Sequence, residues 1–80
     1  MKTKRVKNGA VKIKGKRYPV MDCAEWVAQD EGGDWFCYSV RPYLRDFSWC
    51  YPVAPSAKYD HILAASPRKN WRKSLRRLKR

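Results

Sequence analysis

The sequence predicts an α+β domain: a small antiparallel sheet of three to four strands over about residues 10–53, packed against C-terminal helices over about 57–65 and 67–80. Three observations predict it. Apolar residues alternate with polar ones at Val11, Ile13, Tyr18 and Val20, and again at Phe47, Trp49, Tyr51 and Val53, which is the period of a strand with one buried face. Glycine and proline punctuate this part of the chain at Gly15, Gly32, Gly33, Pro42 and Pro52, where turns would separate such strands. From Ser66 onward the period changes. At about 100° per residue Pro67, Trp71, Leu75 and Leu78 fall in one narrow stripe, and every Arg and Lys of the segment lies on the other side.

Residues 1–9 offer only Val6 for burial and read as a flexible basic arm, leaving 10–80 as a single small domain. The stretch AVKIKGKRYPV reads as a hairpin turning at Gly15, with one apolar and one basic face; Pro19 places its second strand at an edge or ends it early. Residues 22–29 are ambiguous between a helical turn capped by Asp22 and a strand around Trp26. The acidic, glycine-paired stretch from Asp30 to Asp34 is a turn, and Trp35 to Val40 is a strand apolar on both faces, hence central. Asp46 to Tyr51 is the next strand. Ser56 suits a helix N-cap before 57–65, and Ser66 with Pro67 suits the start of another helix over 67–80.

The 80 residues carry a net charge of +12 that is divided sharply: residues 1–18 and 67–80 each hold eight cations and no acid, while 19–66 hold all seven acids against Arg41, Arg45 and Lys58. With 44% apolar residues and four Trp, the middle is too rich in core formers to be disordered. Two cationic runs without an intervening acid imply a polyanionic partner that offsets their self-repulsion. The candidate phosphate-binding residues are Lys2, Lys4, Arg5, Lys7, Lys12, Lys14, Lys16, Arg17, Arg41, Arg45, Arg68, Lys69, Arg72, Lys73, Arg76, Arg77, Lys79 and Arg80. On a helix, Arg68, Arg72 and Arg76 share a face. Tyr43, between Arg41 and Arg45, is the candidate exposed stacking ring, whereas Trp35, Phe36 and Tyr38 read as core.

Cys23, Cys37, Cys50 and His61 are the residue types of a Cys3His zinc site, but spacings of 14, 13 and 11 residues contain no close ligand pair; the cysteines read as reduced, mostly buried thiols, and no metal or cofactor is expected. His61 is the only histidine, and no phosphate loop or nucleophile–base order can be assembled, so the chain reads as a binder and not an enzyme. Asp30, Glu31 and Asp34 form a solvated loop in preference to a cation site. No apolar run approaches the ~18 residues of a membrane span, and no secretory leader is evident, so a cytoplasmic or nucleoid-associated location is expected. In composition alone, small size with many Trp and high basicity resembles accessory proteins of phages and mobile elements.

The expected function is non-enzymatic nucleic-acid binding through phosphates, with duplex DNA favoured over RNA because the basic elements suit phosphates and the aromatics read as buried; a helix of fourteen residues, about 21 Å long, would track several phosphates along a groove. The alternative is an inhibitor or adaptor docking on an acidic surface of a nucleic-acid-processing protein. Attachment to anionic lipid is weaker, since three apolar residues make a poor insertion face.

Overall fold

The computed structural model describes residues 9–52 and 56–78, and within them the chain forms eight strands and one 3-10 turn. No α-helix occurs among the described residues, so the fold is all-β and the α+β expectation is corrected. The basic arm expected at 1–9 lies, apart from Gly9, outside the described residues.

Strands β1 (Ala10–Ile13) and β2 (Lys16–Pro19) form the hairpin that the alternation implies. Its two-residue turn places Lys14 at φ 51° and Gly15 at φ 82°, the double left-handed conformation whose twist suits a tight hairpin. Val11 and Ile13 point into the core while Lys12 and Lys14 stay exposed. The ambiguous region resolves as a strand, β3 (Trp26–Gln29), paired antiparallel with β4 (Trp35–Tyr38) across the acidic turn. That turn is closed by Asp30 N–H to the Asp34 carbonyl (2.8 Å) and Gly33 N–H to the Asp30 carbonyl (2.9 Å).

A second hairpin joins β5 (Tyr43–Arg45) to β6 (Ser48–Cys50), with Asp46 at φ 54° in its turn, a conformation that Asp tolerates better than most residues. The sequence marks only the second of these strands. Pro42 reads as a break, yet its effect is to start β5 one residue later.

Both predicted helices are absent, and strands take their place. Residues 59–63 of the expected 57–65 helix form β7 (Tyr59–Leu63), which pairs with β4, and the expected 67–80 helix is a 3-10 turn at Trp71–Lys73 followed by β8 (Arg76–Arg77), which pairs with β3. The central sheet therefore runs β7-β4-β3-β8. Two physical reasons favour strands here. A nine-residue helix is marginal in water on its own. In the last segment, like charges spaced i, i+4 would repel along a helix that has no acid in its first turn. Extended chain instead satisfies the two open ladders of the β3–β4 hairpin. A bulge at Ile62 lets both Ile62 and Leu63 reach the core.

Ser74 shows how β3 is completed without a regular strand. Its Oγ accepts from the Gln29 N–H (2.7 Å), and its hydroxyl lies within reach of the Trp71 (2.6 Å) and Gln29 (3.3 Å) carbonyls. Trp71 is buried at 4% exposure, as the sequence expects of it, but from a turn and not from a helical stripe.

The core gathers Val11, Ile13, Ala24, Val27, Trp35 and Cys37 beneath the first hairpin. Along β4, Trp35 and Cys37 face that hairpin, while Phe36 and Tyr38 face the side where Trp49, Tyr51 and Tyr59 lie. Of the three cysteines only Cys37 is buried; Cys50 is partly covered and Cys23 is exposed.

Burial pushes the Cys37 thiol and the Tyr38 phenol above their ordinary values of 9.0 and 10.0. Because both are raised in the folded state, the stability they support is complete below those ordinary values and is lost as pH climbs through the folded ones. Thermal melts carried into alkali should show a falling melting temperature that begins only above pH 9.0. In an ultraviolet titration one of the five tyrosines should ionise late, together with unfolding.

Candidate nucleic-acid interface

A cleft of about 240 Å³ opens between the first hairpin and the C-terminal segment, and five of its lining residues are cations: Lys12, Lys14, Arg68, Lys73 and Arg76. Trp35, Ile13 and Ser74 complete the lining, and no carboxylate is among these residues. The guanidinium carbons of Arg68 and Arg76 lie 5.8 and 6.0 Å from the centre of the Trp35 ring. An arginine over an aromatic face gains electrostatic attraction and keeps its N–H groups in plane for an anion.

Arg68 is held by a residue that sequence reasoning passes over. Gln29 is 1% exposed on β3, with its Nε2 donating to the carbonyls of Gly33 (3.0 Å) and Ser66 (3.1 Å). Its Oε1 accepts from Arg68 Nε at 3.1 Å. Arg68 thus commits only Nε to hydrogen bonding within the described residues and leaves both terminal nitrogens for a ligand. Arg76 is fixed differently, donating from one terminal nitrogen to the Lys12 carbonyl at 3.0 Å. Trp35 Nε1 is buried without a partner among the described residues.

The shared face expected of Arg68, Arg72 and Arg76 does not form. Arg68 and Arg76 meet at Trp35, but Arg72 stacks on Trp71 (4.6 Å) and Phe47 (5.7 Å) beside the second hairpin. Arg41 and Arg77 make a further pair over Trp26, at 5.1 and 5.5 Å. Arg77 also reaches Glu25 at 3.5 Å, an exposed ion pair of little energetic weight. Lys16, Arg17, Arg45 and Lys69 are exposed away from the cleft lining, and Lys2, Lys4, Arg5, Lys7, Lys79 and Arg80 lie outside the described residues. Tyr43 is 47% exposed on β5.

A second, aromatic cleft of about 450 Å³ lies on the opposite face of β4, lined by Asp30, Phe36, Tyr38, Ser48, Trp49, Cys50, Tyr51 and Tyr59. Tyr51 contacts Tyr59 at 4.8 Å between ring centres and Tyr38 at 6.5 Å, and Phe36 lies 6.0 Å from Tyr59. The Trp49 amide donates to Asp30 Oδ1 at 3.4 Å, which ties the second hairpin to the acidic turn. Burial raises the Asp30 carboxyl above its ordinary value; the Trp49 N–H opposes this and the Asp34 charge adds to it. The sequence assigns Phe36 and Tyr38 to the core and Trp49 and Tyr51 to the buried face of a strand. What it lacks is any sign that β5–β6 stands off far enough to leave a gap over them.

His61 and Asp34 face each other at 3.3 Å on the exposed surface and line neither cleft. No group of three or more His, Cys, Asp or Glu able to hold a metal ion occurs among the described residues, and no helix there is long and apolar enough to cross a membrane. No protein-family model, curated protein or solved structure matches the chain.

Proposed function

We propose that this chain is a non-enzymatic nucleic-acid-binding protein that grips the phosphate backbone. The observation that carries this reading is the cationic cleft, where Lys12, Lys14, Arg68, Lys73 and Arg76 converge from separate stretches of chain with no acid between them. Such a concentration of like charge opposes folding unless an anion offsets it, and phosphates do so while releasing counterions. Arg68, pre-oriented by Gln29, supports a defined seat for a phosphate in preference to a diffuse charged surface. The groove-tracking argument for duplex DNA depended on a helix and falls with it.

Affinity should therefore fall steeply with salt. If about six phosphates are neutralised, the slope of log K against log salt is near −5 for a duplex and about −4 for a single strand. Changing Lys12, Lys14 and Lys73 together to Gln should flatten the slope by about three and leave the melting temperature close to the parent's, since each is exposed and none of these side chains holds a buried group. A salt-independent affinity would overturn the phosphate reading. It would move the weight to a protein partner held mainly by apolar contact, with the 64% exposed Phe47 as its anchor.

A further inference from the structure

We propose that the aromatic cleft bounded by β4, β6 and β7 receives one unpaired nucleobase, so that the preferred polymer is single-stranded. The inference rests on the nucleic-acid reading and adds the part of the polymer that a phosphate seat does not read. At about 450 Å³ the cleft falls within the size range of small-molecule sites, roughly 300–1,000 Å³. Its walls are the rings of Phe36, Tyr38, Trp49, Tyr51 and Tyr59, and no Lys or Arg among the described residues lines it. A phosphate gains nothing there, whereas a flat uncharged heterocycle gains stacking area.

Two polar groups give such a guest an edge to bind. Trp49 Nε1 is buried with no acceptor among the described residues, a donor that native structures rarely leave unused. Asp30, in the same lining, accepts at its carboxylate only the long 3.4 Å bond from the Trp49 amide among the described residues. The cleft lining thus contains one little-used acceptor, Asp30, and one buried, unused donor, Trp49 Nε1. Every nucleobase carries a donor beside an acceptor on its pairing edge, and that edge is open only when the base is unpaired.

The placement of the two clefts also selects a single strand. Trp35 lines the cationic cleft, while its neighbour Phe36 lines the aromatic one, so the two open on opposite faces of the central sheet. One polymer that fills both must turn around the sheet. A duplex, with a persistence length of about 150 base pairs, is too stiff for that turn, and a single strand is not.

The test compares three ligands of equal length on the intact protein by fluorescence titration: a single-stranded oligothymidylate, the same sugar–phosphate strand without bases, and a duplex. The base-bearing strand should bind about tenfold or more tightly than the abasic one, the gain of one stacked base, and tighter than the duplex. Tyr59→Ala, at a position 50% exposed, should remove that gain and leave abasic binding unchanged. Equal affinity for base-bearing and abasic strands, or a preference for the duplex, overturns the inference and leaves the phosphate reading intact. A free nucleoside is the further probe. If it quenches tryptophan emission while no oligonucleotide binds, the cleft is a site for a free nucleoside, and the single-strand inference falls together with the phosphate reading.

Discussion

Gly33→Ala should leave the chain without a stable folded state. Gly33 sits at φ +105°, where an L side chain is strained in any surroundings. A Cβ built there would also collide with the backbone carbonyl oxygen of Ala65 and lie 2.9 Å from the Pro67 backbone nitrogen. Neither obstacle is a side chain that can swing away. Relief requires that the β3–β4 turn separate from residues 65–67, and this separation would break the Gln29 bonds to Gly33 and Ser66 together. Each buried polar group left unpaired costs about 1–3 kcal/mol, and the left-handed strain adds a similar amount. A domain of this size has only about 4–12 kcal/mol in total, at 0.05–0.15 kcal/mol per residue. Circular dichroism at ambient temperature should show the loss directly. Gly32→Ala is the control: a Cβ there meets nothing within 4 Å, and the variant should melt close to the parent. A Gly33→Ala protein that also melted close to the parent would contradict the packing of the turn against residues 65–67.

Trp71→Ala should cost about 3–5 kcal/mol, the range for deleting a buried aromatic side chain. The indole is 4% exposed, and the 3-10 turn that carries it has no other buried residue. Losing it should also release Ser74, whose hydroxyl bonds to both the Trp71 carbonyl and β3. Arg72→Ala offers the contrast, because it removes only the cation–π contacts to Trp71 and Phe47, each worth about 0.5–1 kcal/mol at an exposed position. Urea unfolding of both variants checks the difference. Should Trp71→Ala leave stability unchanged while abolishing binding to the partner, the turn is itself an interface, and an acidic protein becomes the better partner.

The parts of the fold legible in the sequence are those decided by neighbours along the chain. Lys14-Gly15 between alternating strands dictates the first hairpin, and Gly32-Gly33 dictates the turn before β4, because turn chemistry is local; residues 22–29, which become β3, stayed ambiguous. The outer strands were not legible. Tyr59, Ile62 and Leu63 fit a helical face as well as a bulged strand, and nothing local records that β4 has an unpaired side for them to fill. The same holds for Trp71 and Leu78, which are correctly marked for burial but by the wrong backbone. The site followed the fold. Charge alone identified Lys12, Lys14, Arg68, Lys73 and Arg76 as members of a larger set, while the helical period grouped Arg72 with Arg68 and Arg76 and so misplaced it. Gln29 was invisible because its value depends on carbonyls and an arginine distant in sequence.

The order β7-β4-β3-β8 sets a sequence of events in time. The inner hairpin closes over a five-residue turn and forms on a scale of about 1–10 μs. Its flanks wait for much longer loops: Tyr38 to Tyr59 spans about 20 residues and Trp26 to Arg77 about 50. Each doubling of loop length adds only about 0.6 kcal/mol of entropy, so the second closure is barely costlier than the first. What distinguishes the flanks is the return, because β7 brings five residues and β8 only two. The cationic cleft, which borrows Arg68, Lys73 and Arg76 from the segment around β8, should thus assemble last and open first, so that the β8 amides exchange hydrogen sooner than those of β4. An anion bridging that segment to Lys12 and Lys14 would act as the clasp of the whole fold.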